Sequence, residues 1–265
     1  MTNTRQTRTI PEMTELPRPI WSRSESWGAG GSITEWHQHT WGQFTYVSSG
    51  ILKVETIKAS YTSLPNYGIW IPSGVKHRVI SDKTSEMRSL YVASDTIAHS
   101  AWQRPLVCQM TPLLRELIIH FSNYPPHYSK ESKQARVAQV IIDQFESLTT
   151  VEMALPYPTD KRLIQICHLL QDQPDSRQSI DEWGKQVGLT GRSVSRLFMS
   201  QTGMTFQKWR QRVRLLHALS LLLKPEPIAQ VAYQCGYDSL SAFNQAFKHQ
   251  FGCTASQLPL TLMQL

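Results

Sequence analysis

The spacing of hydrophobic and polar residues changes character along this chain. From Trp21 to about Ser94, short β-branched or alternating runs are separated by Gly and Pro, which is typical of short strands. From Thr111 onward, apolar residues recur every three or four positions, as on one face of a helix. The pattern predicts an α+β protein, in which a small antiparallel β-barrel is followed by helices and then by an all-helical C-terminal domain.

These changes divide the chain into four segments. Residues 1–20 contain three prolines and little periodicity, so they are predicted to form a mobile N-terminal arm. Residues 21–149 are predicted to form the barrel and two amphipathic helices, one before and one after Pro125 and Pro126. Residues 150–159, with Pro156 and Pro158, form a predicted linker to an α-helical domain over 160–265.

A helix-turn-helix pattern occurs twice in this C-terminal domain. The first copy runs from Ile180 through the turn residue Gly188 to Phe198, with small Gly184 where the two helices must cross closely. The second copy follows the same plan: Ile228 lies 48 residues after Ile180, and Phe247 lies 49 residues after Phe198. The second turn is therefore one residue longer. An internal repeat is much stronger evidence than one copy of the pattern.

A basic helix is predicted between the two copies, from a capping Thr205 to Leu223. From Thr190 to Lys248 there are eight Lys or Arg and two acidic residues, a balance of +6 in a chain of net charge +7. Such a concentration of positive charge suits a polyanionic partner. A rigid connecting helix would fix the separation of two recognition helices, and successive major grooves of B-DNA are about 34 Å apart.

These motifs resemble the DNA-binding domain of the AraC/XylS family of bacterial transcription regulators, over roughly the last 100 residues. One departure is Ala255, where the family usually has Pro, at the end of the last helix. The resemblance implies a sequence-specific regulator that binds double-stranded DNA, senses a small molecule or a metal ion, forms a homodimer and, if it is an activator, contacts RNA polymerase. The matching residues are Leu197, Phe198, Gly203, Trp209, Arg214, Leu215, Ala218, the run 228–239, Phe243, Phe247, Phe251, Gly252, Cys253 and Thr254.

The first turns of each recognition helix are expected to meet base edges. Arg192 and Arg196 lie one turn apart and are candidates for bidentate bonds to guanine, while Asn244 or Gln245 suits adenine. The remaining basic residues are expected to contact phosphate, although Arg214 lies near the apolar stripe and is a candidate for a structural role. The base-contacting candidates are Arg192, Ser193, Ser195, Arg196, Leu240, Ser241, Asn244 and Gln245, and the phosphate-contacting candidates are Lys208, Arg210, Arg212 and Lys248.

The barrel segment contains a candidate transition-metal site. His37 and His39 alternate on one strand, so both imidazoles point to the same side, and His77 follows Pro72 and Gly74 on a later strand. The spacing resembles the two cupin motifs, with Gln43 in place of the usual Glu, Ser81 where Asn is common, and Gly68 unusually near Pro72. An amide oxygen is a weaker ligand than a carboxylate. The alternative is a metal-free polar pocket or structural histidines, so no cofactor is certain.

Two aromatic residues, Trp41 and Trp70, are the candidates for lining an effector pocket, although aromatic residues are more often part of a core. The chain has no run of 18 apolar residues and its N-terminus does not resemble a signal peptide, so a cytoplasmic protein without a membrane partner is expected. Cys108, Cys167, Cys235 and Cys253 are far apart and are expected to be reduced.

Two other functions fit parts of this pattern. One is a cupin metalloenzyme, a dioxygenase or isomerase, with an attached DNA-binding domain. Gln43 in place of an acidic ligand and the lack of a separate acid–base pair disfavour it, so the protein is predicted not to be an enzyme. The other is an architectural DNA binder without an effector, for which a pocket too small for any ligand would be expected.

Overall fold

The computed structural model describes residues 5–10, 13–81, 84–97, 100–224 and 226–258. The chain divides into two compact units between Ala154 and Leu155, within the segment 150–159 for which a linker was predicted. The N-terminal unit contains the β-sheets and two helices. The C-terminal unit is helical. None of the described helices combines the length and the apolar character needed to cross a membrane.

The N-terminal unit is built from two sheets and a pair of helices. One sheet has the strand order β1-β3-β8-β5-β6, and the other has the order β11-β10-β7-β4-β9-β2. Neighbouring strands in these two orders pair antiparallel, except that β1 and β3 pair parallel. The strands are β1 (Gln6–Arg8), β2 (Ile20–Trp27), β3 (Ser32–Thr34), β4 (Gly42–Ser49), β5 (Leu52–Thr56), β6 (Ala59–Ser63), β7 (Tyr67–Ile71), β8 (His77–Ser81), β9 (Ser85–Val92), β10 (Leu106–Gln109) and β11 (Thr149–Val151), and a 3₁₀ turn spans Ser100–Gln103. A further short strand, β12 (Ala154–Pro156), includes the point at which the chain divides into its two units.

Strand β4 shows how the second sheet separates a polar face from an apolar one. Gln43 and Thr45 lie on the same face as Ser89 of β9, whereas Phe44 and Tyr46 lie on the opposite face. The Phe44 face packs on helices α1 (Pro112–Phe121) and α2 (Lys133–Glu146). Both helices were predicted from their apolar spacing, and Thr111 and Ser132 cap their N-termini.

Three features of this unit differ from the sequence-based expectations. Within the described residues the two sheets do not pair edge to edge, so they form facing sheets instead of a closed barrel. Alternating patterns specify which face of a strand is buried, but they do not specify whether two edges meet. Residues Gln6–Arg8 of the predicted mobile arm form β1 on the edge of one sheet, and β11 and β12 occupy part of the predicted linker.

In the described residues, the C-terminal unit contains six helices. They are α3 (Lys161–Asp172), α4 (Ile180–Gln186), α5 (Gly191–Thr202), α6 (Phe206–Leu222), α7 (Ile228–Gln234) and α8 (Leu240–Phe251). Thr205 caps α6 as predicted, because its hydroxyl oxygen accepts a hydrogen bond from the Lys208 amide at 3.2 Å. Trp209 of α6 is fully buried, and its indole N–H donates to the Pro156 carbonyl at 2.8 Å. The connecting helix therefore forms the centre of this unit.

The four cysteines are unpaired, as expected. Cys108, Cys167 and Cys235 are buried, and Cys253 is half-buried. Burial raises the pKa of Cys108 and of Cys235 to about 12, so both side chains are neutral thiols.

We predict that Phe145→Ala destabilises the N-terminal unit by about 3 to 5 kcal/mol, because a large buried ring is lost and a cavity remains. The Phe145 ring lies 5.0 Å from Phe44, 5.2 Å from Trp102 and 6.0 Å from Trp70, measured between ring centroids. Hydrogen exchange in full-length protein should become faster in β4 and α2. Peptides of α4 to α8 serve as the internal control, and equal acceleration there would contradict the assignment of Phe145 to the core of one unit.

Candidate DNA interface and histidine cluster

The first recognition helix, α5, has exposed polar residues along one face and buried apolar residues along the opposite face. Arg192, Ser195 and Arg196 are exposed, and Ser193 is half-buried. Ser193 also closes the helix N-terminus, because its amide donates to the Thr190 hydroxyl at 3.2 Å. Beneath this row Val194 and Phe198 are fully buried, so the helix can rotate little about its axis and the arginines stay on the outer face.

Close packing fixes the angle between α4 and α5. A Cβ atom added to Gly184 would lie 2.6 Å from the Leu189 carbonyl oxygen, which confirms the need for a small residue at this crossing. The Asp181 carboxylate accepts a hydrogen bond from the Gly191 amide at 3.1 Å and thereby joins the first turns of both helices. The turn between them uses Gly188 with φ of 70°, a conformation that favours glycine.

The second recognition helix, α8, repeats this arrangement with different chemistry. Leu240, Ser241 and Gln245 are exposed and Asn244 is half-buried, above the buried rings of Phe243 and Phe247. Ser239 caps the helix by accepting a hydrogen bond from the Ala242 amide at 3.2 Å. The second turn is one residue longer than the first, as predicted. The turn glycines Gly188 and Gly236, which both have positive φ, are 48 residues apart, whereas the helix caps Thr190 and Ser239 are 49 residues apart.

Arg210 does not have the geometry expected of a phosphate contact. Its guanidinium donates to the carbonyl oxygens of Ser176 and Gln178, the latter at 2.8 Å, in the segment between α3 and α4. The sequence places Arg210 among the basic residues of α6, but the helix turns its side chain toward that segment. Lys208 and Lys248 are exposed and Arg212 is half-buried.

Arg214 has the structural role that its position near the apolar stripe indicated. Its guanidinium donates to the Pro174 and Ser176 carbonyl oxygens, both at 3.0 Å. It also lies 6.0 Å from the centroid of the Tyr237 ring in the second helix-turn-helix. One side chain of α6 therefore contacts the segment before α4 and the turn before α8.

The predicted histidine cluster of the N-terminal unit is assembled at one end of the facing sheets. His37 and His77 form an isolated backbone bridge, and their ring centroids are 4.2 Å apart. One ring nitrogen from each of His37, His39 and His77 lies within 4.8 Å of the other two. His37 and His39 are half-buried and His77 is fully buried, so the cluster is open to solvent on one side.

Backbone carbonyls determine the tautomer of all three rings. Nδ1 lies 2.9 Å from the Glu35 carbonyl oxygen in His37, 2.6 Å from that of Trp41 in His39, and 2.8 Å from that of Val75 in His77. A carbonyl oxygen can only accept, so each Nδ1 carries the proton and each Nε2 presents a lone pair. The same pattern of Nδ1–H to carbonyl orients metal-bound histidines in proteins.

Gln43 lies between two of these rings. Its Oε1 atom is 3.0 Å from Nε2 of His39 and 3.3 Å from Nε2 of His77. The amide nitrogen donates to the Ser89 hydroxyl at 3.2 Å, and Ser89 in turn donates to the Thr45 hydroxyl at 3.0 Å. In this orientation three acceptor atoms face one another, an arrangement that a cation would stabilise. The reversed amide would instead donate to both rings.

Burial favours the neutral form of the three imidazoles. Desolvation lowers the pKa of His77 to about 3, and the neighbouring His37 adds to that effect. Desolvation also lowers the pKa of His37 and of His39. Neutral imidazoles are the form that binds metal ions.

The two predicted pocket tryptophans lie in different environments. Trp41 stacks on His39 with centroids 5.3 Å apart and planes 4° apart, beside the histidine cluster. Trp70 instead faces α2, donates to the Trp102 carbonyl at 2.7 Å, and belongs to the helix-facing core. Of the two residues expected to line an effector pocket, Trp41 therefore lies beside the histidine cluster and Trp70 lies on the helix-facing side of the second sheet.

Two residues at the C-terminal interface were missed by the sequence analysis. Arg177 and Asp238 form an exposed ion pair of 3.0 Å between the segments that precede α4 and α8. Both lie in short non-helical segments, where no periodicity marks a functional residue. Arg177 lies two residues before the cap Ser179, and Asp238 lies one residue before the cap Ser239. These positions are the only feature of the sequence that connects the two residues with the helix-turn-helix motifs.

Comparisons with known proteins agree with this architecture. The family described as a helix-turn-helix domain matches residues 183–259. The HTH-type transcriptional regulator NimR of Escherichia coli (strain K12) is 28% identical over 221 residues, which cover 82% of this chain and 79% of NimR. The HTH-type transcriptional activator RhaR of Mannheimia succiniciproducens is 27% identical over 222 residues, 71% of this chain and 74% of RhaR.

A similar solved structure is that of a transcriptional regulator from Chromobacterium violaceum, described as having an AraC-type DNA-binding domain. It is 25% identical, with a TM-score of 0.37, and the match covers 39% of this chain and 93% of that one. NimR and RhaR are named as regulators of transcription, which confirms the expectation of a protein that is not an enzyme. Residues 183–259 therefore form a helix-turn-helix domain, and the resemblance to the AraC/XylS family of DNA-binding transcriptional regulators that was expected from the sequence is confirmed.

Proposed function

We propose that this regulator reads base pairs with the first turns of α5 and α8, and that binding of a first-row transition-metal ion to its N-terminal unit controls this activity. Because its partner is double-stranded DNA, we also propose that it acts in the cytoplasm. By resemblance to the family, we also propose a homodimer that contacts RNA polymerase if it activates transcription. The exposed apolar side chains of Leu113 on α1 (54%) and Val140 on α2 (41%) support these helices as the dimer surface.

The proposed base contacts rest on the exposed row of each recognition helix. Arg192 and Arg196 present guanidinium groups one turn apart on α5, the chemistry that bonds to guanine O6 and N7. Helix α8 instead offers Asn244 and Gln245, which suit adenine, and Leu240, whose side chain is 43% exposed and suits a thymine methyl group. We therefore expect the protein to discriminate between base pairs more strongly in the half-site that α5 contacts than in the one that α8 contacts.

The observation that carries the metal proposal is the shared tautomer of the three histidines. Their Nε2 lone pairs, together with Gln43 Oε1, supply nitrogen and oxygen donors that suit a borderline divalent ion such as Zn²⁺, Ni²⁺ or Fe²⁺. Around an ion with bonds of about 2.1 Å, the donor atoms would be about 3 to 3.4 Å apart. Small ring rotations would bring the nitrogens, now within 4.8 Å, to that spacing. When bound, the ion would tie the His37–His39 segment to β8.

A small organic ligand is the second candidate effector. The indole nitrogen of Trp41 is buried and has no hydrogen-bond partner among the described residues, and its ring stacks on His39. A ligand that offers an acceptor to this donor would satisfy a buried polar group.

We predict that Arg192→Ala relaxes base preference at one or two adjacent positions of the binding site, because a bidentate contact contributes about 1 to 3 kcal/mol of discrimination. Selection of duplexes from a random pool, followed by sequencing, measures the preference. Met199→Ala is the control, since Met199 is exposed at the other end of the same helix. An unchanged preference in Arg192→Ala would refute the assignment.

We predict that the full-length protein binds Co²⁺, used as a spectroscopic probe, with one ion per chain and ligand-field absorption in the visible range. His37→Ala should weaken this binding by at least about tenfold, and Gln43→Glu should strengthen it, because a carboxylate is the better ligand. The control is His127→Ala, which removes an exposed histidine outside the cluster.

The same titration, repeated with Zn²⁺, Ni²⁺ and Fe²⁺ while DNA binding is followed, tests control by metal. A change in DNA affinity that is lost in His37→Ala supports it. Identical Co²⁺ spectra for wild-type protein and His37→Ala would exclude the cluster as a metal site and favour the metal-free amide orientation of Gln43.

A further inference from the structure

A cationic cleft lies between the two helix-turn-helix motifs. It has a volume of about 660 Å³ and is bordered by the first turns of α6, the segment before α4 and the turn before α8. Its charged and aromatic lining consists of Arg177, Lys208, Arg210, Arg214, Tyr237 and Asp238. Four of these side chains are basic and one is acidic, which leaves three uncompensated positive charges.

Hydrogen bonding inside the cleft does not neutralise this charge. Arg210 and Arg214 donate to backbone carbonyl oxygens of residues 174–178, which carry no net charge. Burial, and then the nearby charge of Arg214, lower the pKa of Arg210. Two guanidinium groups that share the Ser176 carbonyl therefore repel each other, and an anion in the cleft would relieve that repulsion.

Both edges of the cleft belong to segments that approach the DNA backbone in helix-turn-helix docking. Arg177 lies two residues before the cap of α4, the type of helix that crosses the backbone. Asp238 directly precedes the cap of α8, whose first turns enter the major groove. Lys208, exposed in the first turn of α6, lies between these two edges.

We propose that this cleft binds phosphate groups of the DNA strand that runs between the two recognition helices, with Arg177 and Lys208 as the contacting side chains. The proposal rests on the DNA-binding function above and extends it. Arg210 and Arg214 supply a fixed positive potential beneath the phosphates, because Nη1 and Nη2 of Arg210 and Nε and Nη2 of Arg214 donate to backbone carbonyls. The Nε atom of Arg210 is buried and has no hydrogen-bond partner among the described residues. A cleft that is lined mainly by one sign of charge, within the low-dielectric protein, concentrates such a potential.

Asp238 has a separate role in this arrangement. Its carboxylate pairs with Arg177 at 3.0 Å and repels phosphate, so it limits affinity for DNA of any sequence. Removing this charge should release Arg177 and strengthen binding. This gain of affinity cannot result from misfolding.

The test measures the affinity of full-length protein for a duplex obtained by random selection and for a scrambled duplex, over a range of salt concentrations. Each phosphate contact contributes a slope of about −0.9 to log K against log salt. Arg177→Gln and Lys208→Gln should each reduce the slope by about one contact and weaken both duplexes by the same factor. Asp238→Asn should strengthen both duplexes by a similar factor. Lys161→Gln on α3 is the control of equal charge change outside the cleft.

Salt slopes for Arg177→Gln and Lys208→Gln that match Lys161→Gln, or a lack of gain in Asp238→Asn, would overturn the proposal. Calorimetry with inorganic pyrophosphate in the absence of DNA separates the two sources of phosphate. If pyrophosphate binds with micromolar affinity and Lys208→Gln abolishes that binding, the cleft is a site for a free anion instead of DNA. Failure of the base-reading proposal would give a different result. Arg192→Ala would keep the wild-type sequence preference, while the salt slopes of Arg177→Gln and Lys208→Gln would still decrease.

Discussion

The hydrogen bonds between the guanidinium groups of α6 and the carbonyls of residues 174–178 are the contacts on which the DNA-binding unit depends. Each helix-turn-helix holds its own two helices through buried residues such as Trp183, Phe198, Phe243 and Phe247. Such local packing does not determine where one motif lies relative to the other. Arg214 provides that link, since it binds the segment before α4 and lies against Tyr237 before α8. A change in this region therefore affects both recognition helices at once.

The same contacts explain the crowding around Gly236. This residue has φ of 74°, and an added Cβ would lie 3.0 Å from both the Arg214 guanidinium and the Asp175 carbonyl oxygen. The equivalent Gly188 of the first motif has φ of 70° and no neighbour within 4 Å of such an atom. Both turns need glycine for their backbone conformation. Only the second turn also needs it for space, because α6 directs Arg214 toward it.

The histidine cluster, like Arg210 and Arg214, is held in place by hydrogen bonds to backbone carbonyls. Three carbonyl oxygens orient three rings, and Ser89 and Thr45 orient the amide of Gln43. None of these supporting groups is titratable, so their own hydrogen-bonding roles do not change with pH. The donor atoms are thereby prepared for a cation while the interior of the sheets remains neutral.

The sequence by itself determined that a strand-rich segment precedes an α-helical domain, and that the helix-turn-helix motif occurs twice with a second turn one residue longer. It also determined that His37, His39 and His77 lie close together. These features follow from local periodicity, turn glycines and strand alternation, each of which is fixed within a few residues. Only the tertiary structure decided that the sheets face each other without closing, that Trp70 belongs to the helix-facing core, and that Arg210 donates to the backbone carbonyls of Ser176 and Gln178. The tertiary structure also placed Arg177 beside Asp238, 61 positions apart in the sequence. Such contacts depend on the relative placement of whole elements, and the chemistry of one side chain does not encode which distant carbonyl or carboxylate it will meet.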